Sequence, residues 1–283
     1  MIIPGSATQA FAAALADATG EPLGRAEYER FPDGEVMASV PGEVSGRAVV
    51  VASTVSTDAH VELLQLQDAA REAGADEVVT VLPYMGYARQ DEAFKAGQPV
   101  SSRAVARAIS TGTDRVLTVN PHEVAVCEFF DVPAEPVDAA GRLAEPLPGD
   151  LADPLFLSPD EGAVDIAQTV RDSYGDGETD YFEKDRDYDT GDVEITPSDA
   201  DVAERDVVLT DDIIATGSTM SEAVAVLNDR GAGRVFVSCV HPMLASNALT
   251  KLQSAGVERV YGTDTIERAV SAVSAAPAVA DEL

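Results

Sequence analysis

Short apolar runs recur along the chain and alternate with segments whose apolar residues return at helical spacing. The runs predict strands at Ala48–Ala52, Val78–Pro83, Val116–Asn120, Leu155–Ser158, Val207–Thr210, Val235–Val240 and Val260–Gly262. The segments with helical spacing are Ala59–Ala73, Ser102–Ile109 and Ser221–Asp229. Strands that alternate with helices predict an α/β fold in which mostly parallel sheets are flanked by helices.

The same plan occupies both halves of the chain, which predicts two similar domains. A stretch with a weak pattern near Pro133–Pro148, rich in Pro and Glu, is the expected break. We therefore expect an N-terminal domain at 1–137 and a C-terminal domain at 138–266. The Ala- and Val-rich end of the chain, Ala269–Leu283, is expected to add a strand and a cap, with 267–283 packing on the N-terminal domain.

Residues 172–205 break the alternation. Asp, Gly and Tyr dominate this segment, and its periodicity is poor until Val193–Ile195. A long irregular segment inside a compact domain is often a functional flap, although a disordered surface insertion has the same composition. Lys184 and Arg186 are out of place in so acidic a segment unless they close over phosphate charge.

The charge balance excludes several classes of partner. The chain has 19 basic and 50 acidic residues, giving a net charge of −31, and its only Lys residues are Lys95, Lys184 and Lys251. Such a surface repels nucleic acid and anionic membranes. Because the Debye length falls to about 3 Å in molar salt, the composition favours a salt-rich cytoplasm, with an ordinary acidic cytosolic protein as the alternative.

The cysteines and the lengths of the apolar runs indicate the cellular compartment of the protein. Cys127 and Cys239 lie in apolar segments and are expected to be buried free thiols, as in a reducing compartment. The chain shows neither a charged-then-apolar leader nor an apolar run of about 18 residues. We therefore expect a soluble, cytoplasmic protein. His60 and His241 are expected to be structural.

The most informative stretch is 207–219. The predicted strand at Val207–Thr210 ends in Asp211 and Asp212, and a small hydroxylated turn, Ala215–Thr219, precedes the next helix. Ligands bind at the carboxyl edge of parallel sheets, and the backbone N–H groups of such a turn favour an anion. The two acids suit sugar hydroxyls or a metal. The stretch therefore predicts a sugar-phosphate site, the alternative being a capped acidic strand end.

Two further segments and a pair of residues suggest nucleotide and metal chemistry. Phe31–Glu35 is a turn with an aromatic residue and two acids, Asp33 and Glu35, and is otherwise a surface turn. Pro83–Asp91 follows a buried strand and carries an Arg suited to phosphate and a Gln suited to a base edge, the alternative being a partly buried aromatic turn. Two residues that follow strands, His122 and Asp160, form a reasonable Mg²⁺ pair when phosphate oxygens and water complete the shell, the alternative being a structural role for His122.

Taken together, these motifs resemble ribose-phosphate diphosphokinases, the enzymes that make phosphoribosyl diphosphate. Phe31–Glu35 is similar to the family's Phe-x-Asp-Gly-Glu motif, Tyr84–Asp91 to its Tyr-Ala-Arg-Gln-Asp motif, and Lys184-x-Arg186 to its catalytic flap. Thr210–Thr219 resembles its ribose-phosphate loop, and Ser158-Pro159-Asp160 also matches. The order and spacing agree from about residue 2 to the C-terminus.

The resemblance implies two phosphoribosyltransferase-like domains and Mg²⁺-dependent transfer of a diphosphoryl group from ATP to ribose 5-phosphate. It implies a homo-oligomer in which the 31–35 turn reaches a neighbouring subunit's ATP site. The implied catalytic residues are Lys184 and Arg186, and the implied metal ligands are His122 and Asp160. The implied ATP-binding residues are Phe31, Asp33, Gly34, Glu35, Arg89 and Gln90. The implied ribose 5-phosphate residues are Arg186, Asp211, Asp212, Ala215, Thr216, Gly217, Ser218 and Thr219.

The chain departs from the family pattern at two positions. Ala215 stands where relatives often have a third acid, as it does in some archaeal-type relatives. Asn-Pro-His-Glu surrounds His122, where relatives often have Asp-Leu-His. Two other functions remain open: a phosphoribosyltransferase, which has no reason to carry the nucleotide motifs, and a non-catalytic regulatory homologue, which tends to interrupt them.

Overall fold

A computed structural model describes residues 1–186, 193–196 and 200–283, with the backbone alone for 183–186 and 193–196. The described residues form two compact units. The first contains Met1–Ala139, Asp264–Glu267 and Ser274–Leu283, and the second contains Ala140–Thr263 and Arg268–Val273. The predicted division assigns all of 267–283 to the first domain, whereas here 268–273 belong to the second unit.

The first unit is built on a parallel sheet with the strand order β1-β4-β5-β6-β7. The sheet strands are β1 (Ile2–Pro4), β4 (Gly46–Val51), β5 (Ala75–Leu82), β6 (Arg115–Val119) and β7 (Ala134–Val137). A separate antiparallel hairpin consists of β2 (Glu27–Arg30) and β3 (Val36–Ser39). The helices are α1 (Gln9–Thr19), α2 (Thr57–Glu72) and α3 (Ser101–Ser110).

The core of the first unit forms where the central strands meet their connecting helices. Val50 and Val78 from the sheet pack in one apolar cluster with Leu63 and Leu66 of α2 and Ile109 of α3. Helix α2 begins where the Ser56 side chain accepts a hydrogen bond from the Ala59 N–H, at 3.2 Å. This cap satisfies one of the N–H groups that the first helical turn leaves unpaired.

The second unit repeats this plan in a parallel sheet with the order β15-β14-β13-β12-β8-β9. Its strands are β8 (Leu155–Ser158), β9 (Glu178–Tyr181), β12 (Val207–Ile213), β13 (Val235–His241), β14 (Arg259–Thr263) and β15 (Ser271–Val273). A separate antiparallel pair consists of β10 (Glu183–Arg186) and β11 (Val193–Thr196). The helices are α4 (Val164–Tyr174), α5 (Ser218–Asp229) and α6 (Ala248–Ser254).

The last element, α7 (Ala276–Ala280), belongs to the first unit and packs against α1. Two parallel-sheet units flanked by helices confirm the predicted fold class. The prediction that the chain end adds a strand and a cap is confirmed by β15 and α7. Within the described residues, no helix has both the length and the apolar character needed to cross a lipid bilayer.

The stretch at Pro133–Pro148 contains the division between the two units, which falls after Ala139, but it begins with β7, the last strand of the first sheet. As an edge strand pairing on one side, β7 tolerates Pro136 at a position where an inner strand would need an N–H. Residues 172–205 were expected to be irregular, but they include β9 and the β10–β11 pair.

Candidate active site

A helix N-terminus follows directly on the two acids of the central strand β12. The strand continues through Asp211 and Asp212, and α5 begins at Ser218 after Gly217, whose φ is 72°. The Ser221 N–H donates to the Gly217 carbonyl at 2.9 Å, so the N–H groups of the preceding residues have no acceptor inside the helix. Those N–H groups and the helix dipole favour an anion at this point.

The turn before α5 is held by the segment that follows β13. The Leu244 N–H donates to the Ile214 carbonyl at 2.9 Å, and the Ala245 N–H donates to the Ala215 carbonyl at 2.8 Å. A Cβ at Gly217 would lie 3.2 Å from the Ala248 carbonyl oxygen. Glycine therefore serves twice here, because it permits the left-handed backbone and lets α6 approach the turn.

Three carboxylates interact at the ends of β8 and β12. Burial raises the pKa of Asp211 well above its usual range, and the charges of Asp212 and Asp160 raise it further. Asp160 also accepts a hydrogen bond from the Gly162 N–H at 3.1 Å, capping the short turn after β8. A bound cation would relieve this repulsion, because it compensates the clustered negative charge.

Neither cysteine of the chain is suited to thiol chemistry. Cys239 pairs with Asp211 in the β12–β13 register, and burial raises the pKa of its thiol. Burial likewise raises the pKa of Cys127 to about 11. Both cysteines are free, with Cys239 buried and Cys127 half-buried. Each thiol is therefore protonated at neutral pH and is a poor nucleophile.

Lys251 lies beside the turn, although no sequence motif predicts it there. The Lys251 ammonium on α6 donates a hydrogen bond to the Ser218 hydroxyl at 3.0 Å. The two residues are 33 positions apart, so no local pattern connects them. The available signal was compositional, since Lys251 is among only three Lys residues in the chain.

In the first unit, Phe31–Glu35 forms the loop of the β2–β3 hairpin. The Gly34 N–H donates to the Phe31 carbonyl at 2.9 Å, and the Glu35 N–H donates to an Asp33 carboxylate oxygen at 3.1 Å. The Gly34 backbone has a φ of 94°, a conformation that favours glycine. Asp33 and Glu35 are exposed, and Arg30 beside them forms an ion pair with Asp58 of α2.

The segment after β5 is fixed by close backbone packing. The Gly86 N–H donates to the Thr54 hydroxyl at 2.7 Å, and a Cβ at Gly86 would lie only 2.2 Å from the Thr54 carbonyl oxygen. Gln90 accepts a hydrogen bond from the Ser101 hydroxyl at 3.0 Å and donates to the Pro99 carbonyl at 3.2 Å. Gln90 therefore also stabilises the start of α3. Arg89 is exposed.

The remaining predicted residues are distributed between the units. His122 is exposed in the first unit after β6, whereas Asp160 belongs to the second. Among the described residues, no three His, Cys, Asp or Glu side chains cluster as a complete metal site. Lys184 and Arg186 lie on β10, and their side chains are outside the described residues.

Two α/β units built on parallel sheets, the second of which carries paired acids, a glycine turn and a helix N-terminus, define a phosphoribosyltransferase-like protein. Two family models match the chain. The model described as the N-terminal domain of ribose phosphate pyrophosphokinase matches residues 1–112, and the phosphoribosyl synthetase-associated domain matches residues 196–277.

Full-length relatives agree with these matches. A ribose-phosphate pyrophosphokinase from Halobacterium salinarum is 66% identical over 100% of both chains. Another from Methanosarcina mazei is 44% identical over 100% of this chain and 94% of its own. The crystal structure of phosphoribosylpyrophosphate synthetase from Mycobacterium smegmatis matches with a TM-score of 0.84 and 27% identity, covering 100% of this chain and 96% of that chain.

The chain therefore belongs to the ribose-phosphate pyrophosphokinase family, and the resemblance inferred from its motifs is confirmed.

Proposed function

We propose that the protein transfers the β,γ-diphosphoryl group of ATP to the C1 hydroxyl of ribose 5-phosphate. The products are 5-phosphoribosyl 1-diphosphate and AMP, which serve nucleotide biosynthesis. The observation that carries the proposal is the β12–α5 turn, an anion site next to two carboxylates, in a chain 66% identical to a ribose-phosphate pyrophosphokinase over its whole length.

The ribose 5-phosphate site is proposed at this turn. The backbone of Ala215–Thr219 and the hydroxyls of Thr216, Ser218 and Thr219 hold the 5-phosphate, while Asp211 and Asp212 bind the ribose hydroxyls. The N–H groups at the start of α5 support the first assignment, and the exposed Thr216 supports access to the turn. Two carboxylates suit a polyol, because each accepts several hydrogen bonds.

The ATP site is proposed on the first unit. We propose that Phe31 lies near adenine and that Asp33–Glu35 and Arg89, which are exposed, bind the nucleotide. Gln90 is kept in this set, because an amide with two N–H groups has one left after donating to Pro99. A planar Arg suits phosphate oxygens, with which it forms paired hydrogen bonds.

Magnesium fits the donor chemistry of the site. The carboxylates of Asp160, Asp211 and Asp212 concentrate negative charge, and a cation would relieve their mutual repulsion. Mg²⁺ usually keeps several waters and takes one or two carboxylates plus substrate phosphate, so it does not need a three-residue protein cluster. Asp160 and His122 are the proposed ligands, and a bound Mg²⁺ would neutralise charge on the phosphates of ATP.

The chemistry demands positioning more than covalent help from the protein. The C1 hydroxyl oxygen attacks the β-phosphorus, the bond from that phosphorus to the α,β-bridging oxygen breaks, and AMP leaves with the bridging oxygen. The turn and the acid pair orient the hydroxyl for in-line attack. Lys184 and Arg186, the latter also near ribose 5-phosphate, are proposed to stabilise charge on the transferring group.

We further propose a cytoplasmic homo-oligomer of a salt-rich cell, with each ATP site near a subunit interface. The exposed apolar side chains of the hairpin support this arrangement, since Tyr28, Phe31 and Met37 are 39%, 36% and 40% exposed. The net charge of −31 supports the salt requirement. Light scattering on the protein in molar potassium chloride measures the oligomer size, and a monomeric protein with full activity would contradict the interface site.

A product assay tests the reaction. The protein is incubated with ATP, Mg²⁺ and ribose 5-phosphate at high potassium chloride, and AMP and ADP are measured separately. We expect AMP to form one-for-one with phosphoribosyl diphosphate. ADP would indicate an ordinary γ-phosphoryl kinase. No nucleotide turnover at any salt concentration would favour the transferase or the regulatory homologue. A measurement of ATP binding in the absence of any base would distinguish these two.

A further inference from the structure

Lys251 occupies the wall of the turn that precedes α5. The side chain is half-buried, and its ammonium lies 3.0 Å from the Ser218 hydroxyl oxygen. In the described part of the chain, no carboxylate forms an ion pair with it. In a chain with 50 acidic residues, a cation that faces a serine hydroxyl rather than a carboxylate requires an explanation.

The backbone around Lys251 is built to hold this position. Helix α6 starts against Gly217, where a Cβ would meet the Ala248 Cα at 3.3 Å. The preceding segment is tied to the turn by the Leu244 and Ala245 N–H groups. Leu244 and Ser246 have φ values of 46° and 55°, a left-handed conformation that costs non-glycine residues roughly 1–2 kcal/mol each. Such strain persists where surrounding contacts hold it, often beside functional sites.

The hydrogen bond also orients Ser218. An ammonium has three donors and no acceptor, so the Ser218 oxygen must accept from Lys251. The hydroxyl hydrogen of Ser218 is then free to donate in another direction, and the ammonium keeps two further N–H groups. Ser218 is the first residue of α5, so these donors lie beside the N–H groups that start the helix.

Charge balance identifies the ligand class. A phosphate monoester carries about −1.5 to −2 charges at pH 7 and has three acceptor oxygens. It would enter beside Asp211 and Asp212, which repel it. Helix N–H groups supply only partial positive charge, equivalent to about half an elementary charge. A full cation at the turn offsets the repulsion.

We propose that Lys251 is a substrate-binding residue that contacts the 5-phosphate of ribose 5-phosphate together with Ser218. This inference rests on the proposed function. The 5-phosphate does not react, so the contact is equally strong in the ground state and in the transition state. Loss of such uniform binding raises KM and leaves kcat nearly unchanged.

The test compares variants by calorimetric binding of ribose 5-phosphate and of ATP in molar potassium chloride. At that salt concentration, fields are screened over about 3 Å, so a direct contact is measured rather than a distant charge. Lys251→Met keeps the aliphatic stem and removes the ammonium, Lys251→Gln removes both charge and length, and Lys251→Arg keeps the charge. The matched control is Arg230→Gln, which removes an exposed cation from the other end of α5, about 18 Å away along the helix.

We expect both neutral variants to raise the Kd for ribose 5-phosphate about tenfold, as for one charge-assisted contact at a partly exposed site. The Kd for ATP should change less than about twofold, Lys251→Arg should restore most of the affinity, and KM should rise with kcat nearly constant. Thermal unfolding of each variant shows that it is folded; if one neutral variant is unfolded, the other is decisive.

Three results would overturn the assignment. The first is an unchanged Kd for ribose 5-phosphate in both neutral variants. The second is an equal loss of affinity for ATP and for ribose 5-phosphate. The third is a rise in the Kd for ribose 5-phosphate in Arg230→Gln as large as in the Lys251 variants. A wild-type protein that does not bind ribose 5-phosphate at all would refute the proposed function as well. Full binding of ribose 5-phosphate by both neutral variants would refute only the role of Lys251 and would leave the proposed function standing.

Discussion

Gly217→Ala should damage the turn before α5 in two separable ways. Gly217 has a φ of 72°, and placing a non-glycine residue in that region costs roughly 1–2 kcal/mol. The added methyl would also lie 3.2–3.3 Å from the Ala248 carbonyl oxygen, Cα and Cβ. Overpacking of this kind typically costs about 1–3 kcal/mol, since backbone atoms must shift. The sum is a loss of about 2–5 kcal/mol in the free energy of unfolding.

Gly231→Ala is the matched control, because Gly231 follows the opposite end of the same helix. Its φ is 79°, but a Cβ there would meet nothing within 4 Å. We expect it to lose only the roughly 1–2 kcal/mol of the backbone conformation. The difference of about 1–3 kcal/mol between the two variants therefore measures the crowding against α6.

Denaturant unfolding and calorimetric binding at high salt are the assays. Gly217→Ala should weaken ribose 5-phosphate binding, because shifting the turn moves the N–H groups at the start of α5. Gly231→Ala should leave that affinity unchanged. Equal destabilisation of both variants, together with unchanged affinity for ribose 5-phosphate, would refute the conclusion that the close packing of Gly217 builds the anion site.

Other predictions follow from single groups. Asp211→Asn should raise the free energy of unfolding in metal-free buffer at neutral pH, because the raised pKa of Asp211 makes its ionised form unfavourable in the native state. The gain should vanish below the ordinary Asp pKa of 3.8, and the absence of any gain at neutral pH would contradict the raised pKa. Because burial lowers the pKa of His60 to about 4 from 6.5, the free energy of unfolding should fall as the pH drops through that window, and His60→Gln should remove this slope. Lys184→Ala should cut turnover about a hundredfold or more while ribose 5-phosphate still binds; normal turnover would exclude the flap role. Thermal stability should rise as potassium chloride increases from about 0.1 M to 1 M, and a flat response would contradict the salt requirement.

The predicted strands agree with the structure wherever an apolar run is buried in a sheet centre. Val207–Thr210 and Val235–Val240 lie within β12 and β13, the two innermost neighbours of the second sheet. Burial on both faces makes such runs nearly continuous in apolar residues, so the sequence predicts these strands without knowledge of their neighbours in the sheet. The helix predicted at Ala59–Ala73 corresponds to α2, and the small difference in its bounds follows from the Ser56 cap.

Elements at the edges and on the surface carried a weaker signal. β7 reads Ala-Glu-Pro-Val, which has little strand propensity and forms because β6 offers it a hydrogen-bonding edge. β2 is exposed at every position, so no alternation marks it. Its hairpin was visible only as the turn at Phe31–Glu35.

The sequence by itself determined the α/β plan, the family and the position of the anion turn. These depend on residues close together in the chain: an apolar run, two acids, a glycine and apolar residues that return at helical spacing. The tertiary structure alone decided the contact between Lys251 and Ser218, the approach of Ala248 to Gly217 and the raised pKa of Asp211. Each of these depends on burial or on residues far apart in sequence, and the energy of such contacts is defined only once the chain has brought their atoms together.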